Sequence, residues 1–98
     1  MQHLHLSDSA GALPEAWKST VLARVGGANL KLSRMDGSAY PEEVHAEAEG
    51  LLVIDGRLNL TLDGKLVVVG SGELCVVPAG VAHAVAAGSF GTLLIVDV

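Results

Sequence analysis

Clustered positive charge is what this chain most lacks. Its 98 residues carry six Lys and Arg against eleven Asp and Glu, a net charge of −5, with no basic run. Neutralising a phosphate backbone needs grouped cations, so the composition argues against nucleic acid and equally against an anionic membrane surface. No apolar stretch approaches the roughly 18 uninterrupted residues of a membrane helix. The segment Met1–Leu6 has neither a basic n-region nor an apolar h-region. Cys75 is the only cysteine and has no internal disulfide partner, in keeping with a reducing compartment. The expectation is a cytoplasmic protein. Aromatics are scarce, one each of Trp, Tyr and Phe, which makes stacking on a base or sugar a weak basis for recognition. There is no Gly-x-Ser-x-Gly elbow and no phosphate-cradling glycine loop, and Ser/His/Asp catalysis has no support.

What the chain has instead is apolar sequence cut into short pieces. Half of its residues are hydrophobic and 17% are charged, below the usual quarter of a soluble domain. Thr20–Val25 and Asn29–Met35 read as strands around a Gly26-Gly27 turn. Leu51–Ile54, Leu58–Leu62, Lys65–Val69, Leu74–Val77, Ala82–Ala87 and Thr92–Val98 follow. Asp63-Gly64 is a two-residue hairpin signal, and glycines punctuate the later breaks. Pro14–Lys18, with proline at its first position, predicts a short helical turn. Short strands at this spacing make an all-β sandwich or barrel, with residues 1–98 as one domain. Leu51–Ile54, Val67–Val69 and Leu93–Val96 are apolar on both faces, whereas a barrel with one core leaves one face polar. The segment around Trp17 and a second subunit are the expected cover, so a homodimer is expected.

Two motifs carry the chemistry. The first runs Gly37-x5-Glu43-Val-His45-x3-Glu49-x6-Gly56. The second runs Gly72-x5-Pro78-x-Gly80-x2-His83. Proline fixes φ and glycine tolerates positive φ, so Pro78-Ala-Gly80 is a rigid reversal that delivers His83 reproducibly. Residues two apart on a strand share a face, which lets Glu43 and His45 aim together. Glu49 heads the next strand, and a carboxylate there needs a partner.

The pair of motifs resembles those of the cupin superfamily, with Glu43 in place of the first histidine and Ala87 where an asparagine is common. The resemblance implies an antiparallel β-barrel of the jelly-roll or double-stranded β-helix kind. It also implies a divalent transition metal, Fe, Mn, Zn or Ni, held by His45, Glu49, His83 and Glu43. Two imidazoles and a carboxylate suit such a metal and do not suit Cu(I). Some cupins place four residues before the glutamate. That register puts Glu42 and Val44 at the two positions and turns His45 outward. The acidic residues Glu42, Glu43, Glu47 and Glu49 also read, by themselves, as a solvated loop.

Two functions follow. One is a metal-dependent protein acting on a small organic molecule, as cupin dioxygenases, isomerases and decarboxylases do. The other is a non-catalytic ligand-binding or interaction module whose site has lost its metal. Catalytic residues are not identifiable. Arg34, Tyr40, Asn59 and Thr61 are the polar candidates to line a small, mostly aliphatic pocket, and Cys75 reads as a buried, inert thiol.

Overall fold

The computed structural model describes residues 1–98. A short helix, α1 (Leu6–Gly11), precedes eight strands: β1 (Thr20–Val25), β2 (Ala28–Asp36), β3 (Tyr40–Glu43), β4 (Glu49–Leu62), β5 (Lys65–Gly70), β6 (Leu74–Val77), β7 (His83–Val85) and β8 (Phe90–Asp97). All pairings are antiparallel. The strands form one curled sheet in the order β1-β2-β8-β4-β7-β3, with β5 and β6 attached to β4. The all-β architecture is the one expected from the strand and turn pattern.

Leu51–Ile54 and Leu58–Leu62, expected as separate strands, are two halves of the 14-residue β4. Its first half lies between β6 and β8 and its second half pairs with β5 and β7, so β4 serves both sides of the curl. The register against β8 slips by one residue between Val53 and Asp55. An inserted residue reverses which side chains face inward. Leu51 and Val53 before the slip and Leu58 and Leu60 after it therefore all enter one core with Met35, Val69, Val77 and Leu93. The bend requires glycine on both strands. Gly56 and Gly91 lie opposite each other with φ of 88° and 101°. A Cβ on Gly56 would sit 2.0 Å from the Phe90 carbonyl oxygen, and one on Gly91 2.2 Å from that of Asp55. The Asp63-Gly64 hairpin has positive φ at both residues, 48° and 78°, as its turn type demands.

The helix sits earlier than expected. Residues 6–11 are helical, and the predicted helical span Pro14–Lys18 is an irregular turn in which Trp17 takes a φ of 66°. Cover of the outer sheet face comes from α1, which packs on β2, β8 and β4 and buries Ala10 and Leu32. Trp17 instead packs against the inner core. Its backbone N–H donates to the Arg34 carbonyl at 2.9 Å, and its indole N–H lies 2.8 Å from an Asp36 carboxylate oxygen and 3.0 Å from the Ser38 hydroxyl. Beyond α1 the outer face stays open: Leu74 and Val76 are exposed.

Gly56→Ala is expected to lower stability by about 2 kcal/mol or more, read as a lower urea midpoint at unchanged slope; an unchanged midpoint contradicts the glycine requirement. Hydrogen bonds from the Ser38 hydroxyl and backbone N–H, then from the Trp17 indole, hold the Asp36 carboxyl below the usual carboxylate range. A depressed folded value means that the contact is fully present above the unfolded value and is lost as pH falls through the folded one. Emission from the sole tryptophan should therefore hold steady from pH 7 down to about pH 4 and move to the red only below it. Asp36→Ala should be red-shifted at neutral pH, and identical spectra for the two proteins would contradict the assignment.

Candidate metal centre

The site is assembled by β-pairing and one tight turn. Glu43, the last residue of β3, pairs with His83, the first of β7. Glu49, the first of β4, pairs with Val77 at the end of β6. The Pro78–Val81 turn joins β6 to β7, with the Val81 N–H donating to the Pro78 carbonyl at 3.3 Å and Gly80 at φ 77°. Gly80 also donates its N–H to the His45 carbonyl at 2.9 Å. One turn therefore fixes both histidines.

The four side chains converge. His83 Nε2 lies 3.0 Å from Glu49 Oε1, and His45 Nε2 lies 3.2 Å from Glu43 Oε2 and 3.9 Å from Glu49 Oε1. The two imidazole rings are 5.0 Å apart. Donor atoms of Glu43, His45 and His83 all lie within 4.8 Å of one another. His83 and Glu49 form the buried floor, with side chains 7% and 11% exposed, and His45 and Glu43 form the half-exposed mouth. Glu42 and Val44 are exposed, while Glu43 and His45 line the cavity. The three-residue spacing is the one that describes this chain, and the alternative with Glu42 and Val44 inward is overturned.

His83 Nδ1 lies 3.0 Å from the Val81 carbonyl oxygen, which only accepts, so Nδ1 carries the hydrogen. In the neutral ring Nε2 is then a bare lone pair facing a carboxylate oxygen at 3.0 Å. Two lone pairs at that separation repel, and a proton or a metal ion between them removes the repulsion. Adjacent ligands on one ion with bonds of about 2.0–2.2 Å lie about 2.8–3.6 Å apart, the short end for right-angled and the long end for tetrahedral coordination. The 3.0 and 3.2 Å contacts match that spacing, and the donors are nitrogen and oxygen without sulfur. The residues present fit a divalent transition metal.

Beside the centre is a cavity of about 210 Å³, half of whose lining residues are hydrophobic. Of the polar candidates read from the sequence, Tyr40 lines it. Arg34 reaches the Leu13 carbonyl at 3.3 Å, Asn59 that of Ala87 at 3.2 Å and Thr61 that of Ala84 at 3.3 Å, so these three hold chain segments. The register slip in β4 explains the latter two, since it turns Leu58 and Leu60 inward and their neighbours outward. Missed by the sequence reading were Lys31 and Ser33 on β2 and Asp97 on β8, all in the cavity wall. Their signal was alternation in phase with Met35 and with Leu93 and Ile95. Lys31 pairs with Asp97, which also accepts from Asn29 at 3.1 Å. Burial pushes the Asp97 carboxyl up, but the hydrogen bonds from Lys31 and Asn29 and the Lys31 charge outweigh it, and the group ends below the usual carboxylate range. Cys75 is half-buried against the core, and desolvation pushes its thiol up, as an inert thiol requires.

Comparison with solved structures places the fold. A cupin-2 domain containing protein from Shewanella frigidimarina superposes with a TM-score of 0.86 at 22% identity, covering 96% of this chain and 92% of that one. A Neisseria meningitidis protein gives 0.83 at 21%, covering 99% of both chains. KdgF from a Halomonas species gives 0.66 at 19%, covering 80% of this chain and 73% of that one. No curated protein matches the chain in a sequence comparison. The model of the Cupin domain family matches residues 34–98, a span that holds β3 to β8 and every residue of the His/Glu cluster, and the chain belongs to that family.

Proposed function

We propose that this protein holds one divalent transition metal ion on His83, Glu49, His45 and Glu43 and receives a small organic molecule in the adjoining cavity. The observation that carries the reading is the 3.0 Å approach of His83 Nε2 to Glu49 Oε1, with Nδ1 of the same ring committed to the Val81 carbonyl. A bound metal would supply Lewis acidity toward an oxygen of the guest. The chain's own residues do the rest. The Val81 carbonyl sets the tautomer and aim of His83, the Gly80 N–H anchors His45, and Trp17 and Tyr40 wall the cavity. The cavity is below the roughly 300–1,000 Å³ of drug-sized sites, which restricts the guest to a small molecule.

Titration of Mn(II) or Zn(II) into untagged protein at pH 7.5, followed calorimetrically, is expected to give one equivalent bound. His45→Ala and His83→Ala should each weaken binding at least about tenfold. Equal affinities in wild type and both variants would overturn the ligand assignment. No uptake by the wild type would replace it with the metal-free binding module.

We propose also that a second copy of the chain covers the open outer face. Leu74 and Val76 of β6 flank Gly50, with Val96 and Leu30 continuing the same row across β8 and β2. None of these positions carries charge, so two chains of net charge −5 can meet there without setting like charges together. Light scattering is expected to give about twice the 10.0 kDa of one chain, and Leu74→Lys should return it to the monomer value. A wild-type monomer at micromolar concentration contradicts this interface.

A further inference from the structure

Two chemically distinct groups line the cavity. One is the acceptors and imidazoles of the His/Glu cluster. The other is Lys31, Ser33 and Asp97, in the wall formed by β2 and β8, with Asp97 next to His45 and Glu49. Lys31 and Ser33 are two apart on one strand and so share a face. The Lys31 ammonium has three N–H donors and its side-chain partner is Asp97 alone, which leaves donors unspent. Ser33 is 1% exposed, lines the cavity and makes no side-chain hydrogen bond within the chain. No buried side-chain polar atom of the chain lacks a partner, so the small accessible surface left on Ser33 belongs to its hydroxyl, which opens onto the cavity next to a lysine that is itself three-quarters buried.

We infer that Lys31 and Ser33 form an anion subsite that takes the carboxylate of a small hydroxy or keto acid, one carboxylate oxygen on the Lys31 ammonium and the other on the Ser33 hydroxyl. Resting on the metal reading given above, this deepens it by naming the guest's class. Charge supports the choice. Lys31 is balanced by Asp97, and a divalent metal balances Glu43 and Glu49, so a monoanion enters without meeting net negative charge. A dianionic phosphate would face three carboxylates in a cavity of about 210 Å³. The hydrophobic half of the lining suits the short carbon chain of such an acid. Asp97 acts as a positioning residue, since it holds the ammonium at the wall while Asn29 holds Asp97.

The probe pair is L-lactate and L-lactamide, nearly equal in shape and different in charge, titrated into the Zn(II)-loaded protein and the metal-free protein with amide shifts followed by nitrogen–proton NMR. Lactate is expected to shift the amides of Lys31, Ser33 and Asp97 and to bind at least about tenfold more tightly than lactamide, because a site built for one polar group rejects the analogue that lacks it. Lys31→Met should abolish that preference while Zn(II) affinity stays at the wild-type value. Ser33→Ala, a near-isosteric change that keeps the fold, should weaken lactate several-fold and leave lactamide unchanged. Equal binding of the two probes, or lactate binding unaffected in both variants, overturns the subsite even where Zn(II) binds normally. If Zn(II) does not bind, the metal reading fails separately, and Lys31-dependent shifts with lactate in the metal-free protein still uphold the subsite while their absence overturns it.

Discussion

An imidazole lone pair and a carboxylate oxygen held 3.0 Å apart and almost out of solvent need a positive charge between them, and the geometry around His83 and Glu49 is arranged about that need. Both side chains are almost buried, so water cannot screen the contact cheaply. Glu43 and His45 repeat the pairing at the mouth at 3.2 Å. The backbone fixes these positions in advance. The Pro78–Val81 turn aims His83 through the Val81 carbonyl and ties down His45 through the Gly80 N–H, so the two histidines share one rigid support. Such preorganisation keeps the ordering cost of the site inside folding, before anything binds.

The barrel makes this possible through β4. A strand that kept strict alternation for 14 residues would aim one of its two apolar runs at solvent. The slip at Ile54 removes that conflict, and Gly56 facing Gly91 lets the two backbones approach where any side chain would collide. With the bend in place, Glu49 at one end of β4 and Leu58 and Leu60 toward the other line the same cavity. The curl of the sheet and the location of the site thus rest on one irregularity in one strand.

Much of this was legible in the sequence, and the failures have physical causes. The strands other than β3, the Asp63-Gly64 hairpin, the grouping of Glu43, His45 and His83 and the contact of Glu49 with His83 agree with the alternation, turn chemistry and spacing. Asn59 and Thr61 were expected to line the pocket because alternation separates them from Leu58, Leu60 and Leu62 without saying which set faces inward, and the core took the leucines. Proline at position 14 suggested a helix start, yet the helix forms at Leu6–Gly11, where it can lie on the open face of β2, β4 and β8. Tertiary cover outweighed local propensity there. Lys31 and Asp97 escaped notice because each reads as an ordinary surface charge until β2 and β8 are paired.

The central claim is that both imidazoles and the carboxylates share one ion. X-ray absorption at the zinc edge of Zn(II)-loaded protein tests it most directly, because imidazole rings leave a multiple-scattering signature that carboxylates and water do not. The account predicts a first shell of nitrogen and oxygen at about 2.0–2.2 Å, scattering from two imidazoles and no sulfur. A shell with no imidazole scattering, or one containing sulfur from Cys75, would contradict it.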